Sequence, residues 1–284
     1  MKKPILIKVL IFFLLGSMDA MAQQDTVKLT DVKYGSFERN LMDVYLPPGR
    51  APKTPFVILI HGGAWVQAGK EYVRDFQQYL LSQGIASVNI NHRYANDSTV
   101  HYKQIMEDVD SAVKYCADHA GQWNTRADGF STAGFSSGAH LALLYGYTTQ
   151  RKINAIVDFS GPNNFTDTAT LNYCVKAGLI GLVEKITGDR FTGVSHLPAS
   201  FSLASPYTHV KNIPTFIAHG TIDPVVKVSQ SQQLAQKLQR MQVPVKFIEV
   251  EGLAHDLDKK PQEKLKLYHA AVAWLKKYGQ KNKI

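Results

Sequence analysis

Short apolar runs alternate with stretches of helical periodicity along most of this chain, the pattern of a mostly parallel sheet flanked by helices. Leu41 to Leu46 reads as an early strand stopped by Pro47-Pro48. Val57 to Ile60 is continuously apolar, as a strand buried on both faces requires. Tyr72, Val73, Phe76, Tyr79 and Leu80 then recur at helical spacing. Ile85 to Ile90 predicts the next strand and Ile105 to Cys116 the next helix. Phe130 to Ala133 is a short strand, followed at once by a small-residue helix from Ser137 to Tyr145. Ala155 to Phe159, Thr215 to Ala218 and Val245 to Val250 complete the strands. Leu234, Leu238 and Met241 mark the helix between the last two, and Leu265, Tyr268, Val272 and Leu275 a closing helix. Residues 162–205 break the alternation, with Gly, Thr and Asn scattered around one apolar stretch from Leu179 to Ile186. That segment is expected to be an insertion over the strand ends. The fold class is therefore α/β, with residues 23–284 as one domain.

The N-terminus reads differently. Lys2, Lys3 and Lys8 make a basic region, Val9 to Leu15 a short apolar run, and Ala20-Met21-Ala22 places small residues where a signal peptidase reads them. Residues 1–22 are expected to be removed on export to a periplasm or the medium. The apolar run falls well short of the roughly 20 residues a spanning helix needs, so no stable membrane anchor is expected. The chain of 284 residues carries 32 Lys and Arg against 23 Asp and Glu, a formal charge of +9. Part of the excess lies in a Lys-rich C-terminal stretch from Lys264 to Lys283, which reads as a solvated helix and tail rather than a basic face for nucleic acid. No nucleic-acid partner is expected, and nothing in the pattern specifies an oligomeric state. The two cysteines, Cys116 and Cys174, either pair after export or stay buried as thiols; neither sits in a zinc-binding pattern.

Chemistry concentrates where strands end. Gly134-Phe135-Ser136-Ser137-Gly138 is the chain's one G-x-S-x-G, set between a strand and a helix. A serine on so sharp a turn is strained, and the flanking glycines let neighbouring backbones approach. Ser136 is thus the candidate nucleophile. His61-Gly62-Gly63-Ala64-Trp65 follows directly on the strand ending at Ile60. The amides of Gly63 and Ala64, with that of Ser137, are candidates to hold a developing oxyanion. His61 is expected to hold the loop in shape, and Trp65 either walls an acyl pocket or packs beneath the loop.

A serine hydroxyl needs a base, and the base needs an orienting carboxylate. Asp223 follows the strand Thr215 to Ala218, and His255 follows the strand Val245 to Val250, so both loops emerge on the same sheet edge as Ser136. Of the other histidines, His61 and His92 precede the serine, His140 is expected to face neighbours, and His219 to hydrogen-bond locally. Asp256, adjacent to His255, is poorly placed to reach the same imidazole.

With these residues in hand, the chain resembles α/β-hydrolase esterases of the hormone-sensitive-lipase and feruloyl- and acetyl-xylan-esterase-like group. The likeness rests on Leu41 to Pro47, His61 to Trp65, Gly134 to His140, Ala204-Ser205-Pro206, His219 to Val226 and Gly252 to His255. Ala64-Trp65 stands where many lipase-like members carry a third Gly and an aromatic, which turns the likeness toward the feruloyl- and acetyl-xylan-esterase-like branch and toward kynurenine-formamidase-like enzymes. Only residues 23–40 precede the first clear strand, leaving little room for N-terminal cap helices. The resemblance implies an α/β-hydrolase fold and acyl transfer by Ser136, His255 and Asp223, with no metal and no organic cofactor. It implies a small-molecule or carbohydrate-linked acyl ester as substrate, with amide, formamide or peptide cleavage as the alternative and non-catalytic binding as a remoter one.

Overall fold

Successive residues of a strand point to opposite faces, and the central strands here are apolar on both. The computed structural model describes residues 25–280; the expected leader at residues 1–22 lies outside the described residues. Eight strands form one sheet: β1 (Val27–Lys33), β2 (Leu41–Leu46), β3 (Phe56–Ile60), β4 (Ala86–Ile90), β5 (Phe130–Phe135), β6 (Ile153–Phe159), β7 (Thr215–Gly220) and β8 (Val245–Val250). Their spatial order is β1-β2-β4-β3-β5-β6-β7-β8. β1 and β2 pair antiparallel, β2 runs antiparallel to β4, and all remaining pairs are parallel. The consequence for function is geometric. The carboxyl ends of β3, β5, β6, β7 and β8 all lie on one edge, with Ile60 beside Gly134, Phe135 beside Phe159 and Gly220 beside Val250.

The helices are α1 (Arg74–Ser82), α2 (Tyr102–Asp118), α3 (Ala120–Trp123), α4 (Ser137–Thr148), α5 (Thr168–Lys176), α6 (Ile180–Thr187), α7 (Ala199–Leu203), α8 (Val228–Arg240) and α9 (Pro261–Tyr278). One sheet face buries Ile58 and Ile60 with Ile105 and Val109 of α2, Leu141 and Leu144 of α4 and Leu234 of α8. The other buries Val57, Leu59 and Val157 with Phe76 and Leu80 of α1 and Leu267, Tyr268 and Ala271 of α9. Helix α4 is buried nearly all round, from Ser137 to Tyr147, in keeping with its mostly apolar sequence.

Three expectations needed refinement. β1 lies within residues 23–40, where no strand was expected; its period-2 pattern is interrupted by a bulge between Leu29 and Val32, with Asp31 at φ 54°. Most of β1 is exposed, so no apolar face advertised it. The insertion at 162–205 holds three short helices, α5 to α7, of which α5 is capped by the Asp167 carboxylate accepting from the Thr170 amide at 2.8 Å. Met241 and Leu265, expected on buried helix faces, are exposed; α9 instead buries Leu267, Ala271 and Trp274 alongside the expected positions. Cys116 and Cys174 are both unpaired and buried.

One buried ion pair ties the sheet edge to the loop after β3. Lys70 Nζ donates to Asp43 on β2 at 2.7 Å, and the side chains are 5% and 1% exposed. Gln77 donates to the Asp43 carbonyl and accepts from Asn89, which closes a buried polar cluster. Removing one ion of such a pair strands the other in a low-dielectric interior. Lys70→Met is therefore expected to lower stability by about 3 kcal/mol, read as a shift of the urea midpoint at unchanged slope.

Candidate active site

Ser136 sits between β5 and α4 at φ 54° and ψ −124°, a conformation that side-chain-bearing residues rarely adopt. The glycines two positions either side make it reachable. A Cβ on Gly134 would lie 2.3 Å from the Gly138 carbonyl, and one on Gly138 would lie 2.2 Å from the Ile60 carbonyl oxygen. The turn is further pinned by the Ser136 amide, which donates to the Phe159 carbonyl of β6 at 2.8 Å. The serine hydroxyl is thereby thrust out over the sheet edge.

The structure brings Asp223 and His255 to it from the loops after β7 and β8. His255 Nδ1–H donates to Asp223 Oδ2 at 2.6 Å, and Nε2 accepts from Ser136 Oγ at 2.8 Å. The two loops are held together by close backbone approach, since a Cβ on Gly220 would fall 2.1 Å from the Leu253 carbonyl oxygen. Asp223 is buried, and its other oxygen accepts from the amides of Val225 and Val226 at 2.7 and 2.9 Å. Burial pushes this carboxyl up, but the hydrogen bonds from His219 and His255 outweigh it and hold the group well below the usual carboxylate range. An ionised, fully partnered carboxylate fixes the imidazole tautomer, leaving Nε2 free to take the serine proton.

His219 belongs to this arrangement in a way the sequence did not reveal. Its Nε2–H donates to the Val226 carbonyl at 2.8 Å and stands 3.2 Å from Asp223 Oδ2, while Nδ1 accepts from the Ser231 hydroxyl at 2.7 Å. It is buried, and it positions the carboxylate and the loop that carries it. Asp256 turns away from the imidazole, and its carboxylate accepts from the Asp258 amide.

Gly63, Ala64 and Trp65 all have positive φ, at 112°, 52° and 65°, so the loop after β3 curls over the serine. Among the described residues, the amides of Gly63, Ala64 and Ser137 donate to no other group. Ala64 and Ser137 line the same small cavity as Ser136, and a Cβ on Gly62 would come within 3.4 Å of the Ser136 Cβ. Free amides beside a part-buried hydroxyl can bind a negatively charged oxygen. His61 donates from Nδ1 to the Gly62 carbonyl at 2.6 Å and stacks on His92 at 4.5 Å, out of reach of substrate. Trp65 is buried and lines the small cavity, its indole N–H donating to His140 Nδ1 at 3.1 Å. His140 in turn donates from Nε2 to the Ala204 carbonyl at 2.8 Å, clamping the insertion to α4.

Two cavities meet at Ser136. The first is small, about 60 Å³, and apolar, with Trp65, Phe165, Cys174, Leu179, Leu182 and Val183 around it, so α5 and α6 of the insertion supply much of its wall. The second holds about 520 Å³ and includes His255, Ser160 and several charged and aromatic side chains.

Parallel strands crossed by helices on both faces, with this hydrogen-bonded chain at three strand ends, define an α/β-hydrolase. The BD-FAE family model matches residues 42–238, and the chain belongs to that α/β-hydrolase esterase family. It is 26% identical over 249 residues to the esterase LipC of Mycobacterium tuberculosis, covering 80% of this chain and 59% of that protein. It is also 26% identical over 248 residues to a probable isoprenylcysteine alpha-carbonyl methylesterase of Arabidopsis thaliana, covering 79% of this chain and 50% of that one. The chain thus spans little more than half the length of these relatives. Among solved structures, a truncated form of a carbohydrate esterase from gut microbiota shares the fold, with a TM-score of 0.71, 23% identity, and coverage of 91% of this chain and 98% of that one.

The buried histidines make stability acid-sensitive. Burial pushes the imidazoles of His61, His92 and His140 down to about 3, about 4 and about 4. Below the unfolded value of about 6.5, the unfolded chain takes up three protons that the folded chain refuses. Buried Asp158, pushed up to about 7, has the opposite sign: its proton is held in the folded chain and lost from the unfolded one above about 3.9. The difference near pH 5 approaches two protons in favour of the unfolded state, so stability drops by up to about 2.7 kcal/mol per pH unit of acidification. Urea midpoints measured from pH 7 to 5 are expected to fall steeply, and a flat profile would remove the buried-histidine account.

Proposed function

We propose that this chain is an exported serine carboxylic-ester hydrolase that cleaves short acyl groups from small or carbohydrate-linked alcohols. The observation that carries the reading is the unbroken path from Ser136 Oγ through His255 to Asp223, at 2.8 and 2.6 Å, on three loops of one sheet edge. Ser136 gives its proton to His255 Nε2 as Oγ bonds to the acyl carbon, and the amides of Gly63, Ala64 and Ser137 take the charge that develops on the carbonyl oxygen. The acyl–oxygen bond to the alcohol then breaks, and the proton leaves with the alcohol. Water repeats the sequence and releases the acid. Asp223 stays ionised throughout and stabilises the imidazolium.

The acyl group belongs in the cavity of about 60 Å³, because the oxyanion amides line it and the histidine does not. That volume suits an acetyl to butyryl chain and supports a short-chain substrate. The wider polar cavity beside His255 supports a carbohydrate-linked alcohol. Membership of an esterase family supports ester chemistry, and the sequence of residues 1–22 supports export.

The test is a p-nitrophenyl ester series from acetate to octanoate, with a p-nitroanilide arm because the same three residues serve amide cleavage. Turnover is expected to peak between acetate and butyrate. Ser136→Ala is expected to lower kcat by about 10⁶, the scale at which a triad acts as a unit. Leu182→Ala, which widens the apolar cavity, is expected to move the optimum toward longer chains. Wild-type turnover in Ser136→Ala, or anilide cleavage without ester cleavage, would sink the reading.

A further inference from the structure

The two cavities at Ser136 are chemically unlike, and the proton path says which half of the substrate occupies which. His255 must hand its proton to the departing oxygen, so the alcohol lies on the imidazole side. That places the alcohol in the cavity of about 520 Å³, which His255 lines. This inference rests on the proposed roles of Ser136 and His255.

The charge of that cavity runs against the charge of the chain. Asp75, Asp256 and Asp258 face it, with Lys264 as the one lining cation, in a protein of formal charge +9. Lys264 is already shared between Asp75 and Asp258, while Asp256 has no cationic partner among the described residues. The tyrosines register the resulting field. Burial first, and then Asp256, Asp258 and Asp75, push the Tyr72 phenol up; burial and Asp75 do the same to Tyr268.

Ser160 supplies an independent sign of a ligand. It is 3% exposed and its hydroxyl has no hydrogen-bond partner among the described residues, yet it borders the cavity. Its backbone is at φ 55°, where the amide donates to the Ala218 carbonyl of β7 at 2.9 Å, so the residue is held in a strained conformation beside the nucleophile. A buried hydroxyl left unpaired is unfavourable, and a ligand hydroxyl would satisfy it.

We propose that this cavity is a leaving-group subsite for a neutral, polyhydroxylated alcohol, and that it selects against anionic ones. Ser160 and Asp256 hydrogen-bond the hydroxyls of the alcohol, the half-exposed Tyr72 ring covers one of its faces, and Asp256 with Asp258 repels a carboxylate.

The test compares monoacetates of methyl glucoside and methyl glucuronide, which differ by a carboxylate, with p-nitrophenyl acetate as a reference ester. At low ionic strength the glucoside acetate is expected to have the higher kcat/KM by on the order of tenfold. Added salt should shrink that ratio. Asp256→Asn with Asp258→Asn should bring it close to one, and Ser160→Ala should raise KM for the glucoside acetate. Equal rates on the two sugars, or a ratio untouched by the double variant, overturns the subsite. Loss of p-nitrophenyl acetate hydrolysis in the wild type would instead overturn the roles of Ser136 and His255. In that event, ligand-observed NMR with Ser136→Ala still reads the cavity through the two parent glycosides. Tighter binding of the glucoside supports it, and equal or reversed binding overturns it.

Discussion

Everything at this site depends on how closely the β5–α4 turn packs against the end of β3. Gly138 abuts the carbonyls of Ile60 and His61, and Gly134 abuts Gly138 itself, with no room for a Cβ at either position. Ser136 is held between them in a conformation that costs about 1–3 kcal/mol. That strain persists because α4 is buried along almost its whole length and cannot relax. The same contact that raises the hydroxyl also sets the oxyanion loop beside it, since that loop begins at His61. One packing constraint therefore fixes the proposed nucleophile and the proposed oxyanion donors together.

The proposed acid and base obey a second constraint of the same kind. Gly220 and Leu253 touch backbone to backbone, so the loops carrying Asp223 and His255 move as one. Around them the electrostatics are sorted by burial. Asp223 keeps its charge because the His255 imidazole and two amides donate to it, with His219 Nε2 3.2 Å away. His61, His92 and His140 are buried without a carboxylate partner and stay neutral, serving as rigid spacers. Neutral imidazoles add no competing positive charge, so Asp223 bears directly on His255.

Much of this was legible in the chain because strand ends leave strong local signals. The G-x-S-x-G between an apolar run and a small-residue run located Ser136, and the placement of Asp223 and His255 after two later runs followed from parallel topology. What the chain did not disclose depends largely on contacts between distant residues. The clamp from Trp65 through His140 to Ala204 joins residues with no shared local pattern. The link from His219 to Asp223 is local, only four residues long, but its partner could not be told from sequence. β1 escaped notice because an exposed, bulged edge strand has no apolar face to repeat. Ser160 is the instructive case. It follows β6 just as Asp223 and His255 follow their strands closely, so the rule that pointed to them also pointed to it, but a lone serine before Gly161-Pro162 resembles an ordinary turn.

The insertion explains why one sheet edge can present two unlike cavities. α5 and α6 bring Cys174, Leu179, Leu182 and Val183 over the amide side of Ser136, where a buried apolar wall suits an acyl chain and keeps water from the oxyanion donors. On the histidine side the insertion contributes no wall. The cavity there is closed instead by α1, α9 and the loop after β8, whose outward residues are charged because those elements face solvent. The proposed apolar selection on one side and polar selection on the other thus follow from which elements the chain could place at each flank of a single serine. In this reading the acyl preference is set by the insertion, whereas the alcohol preference is set by exposed carboxylates together with buried Ser160. The two proposed halves of specificity therefore rest on different elements of the fold.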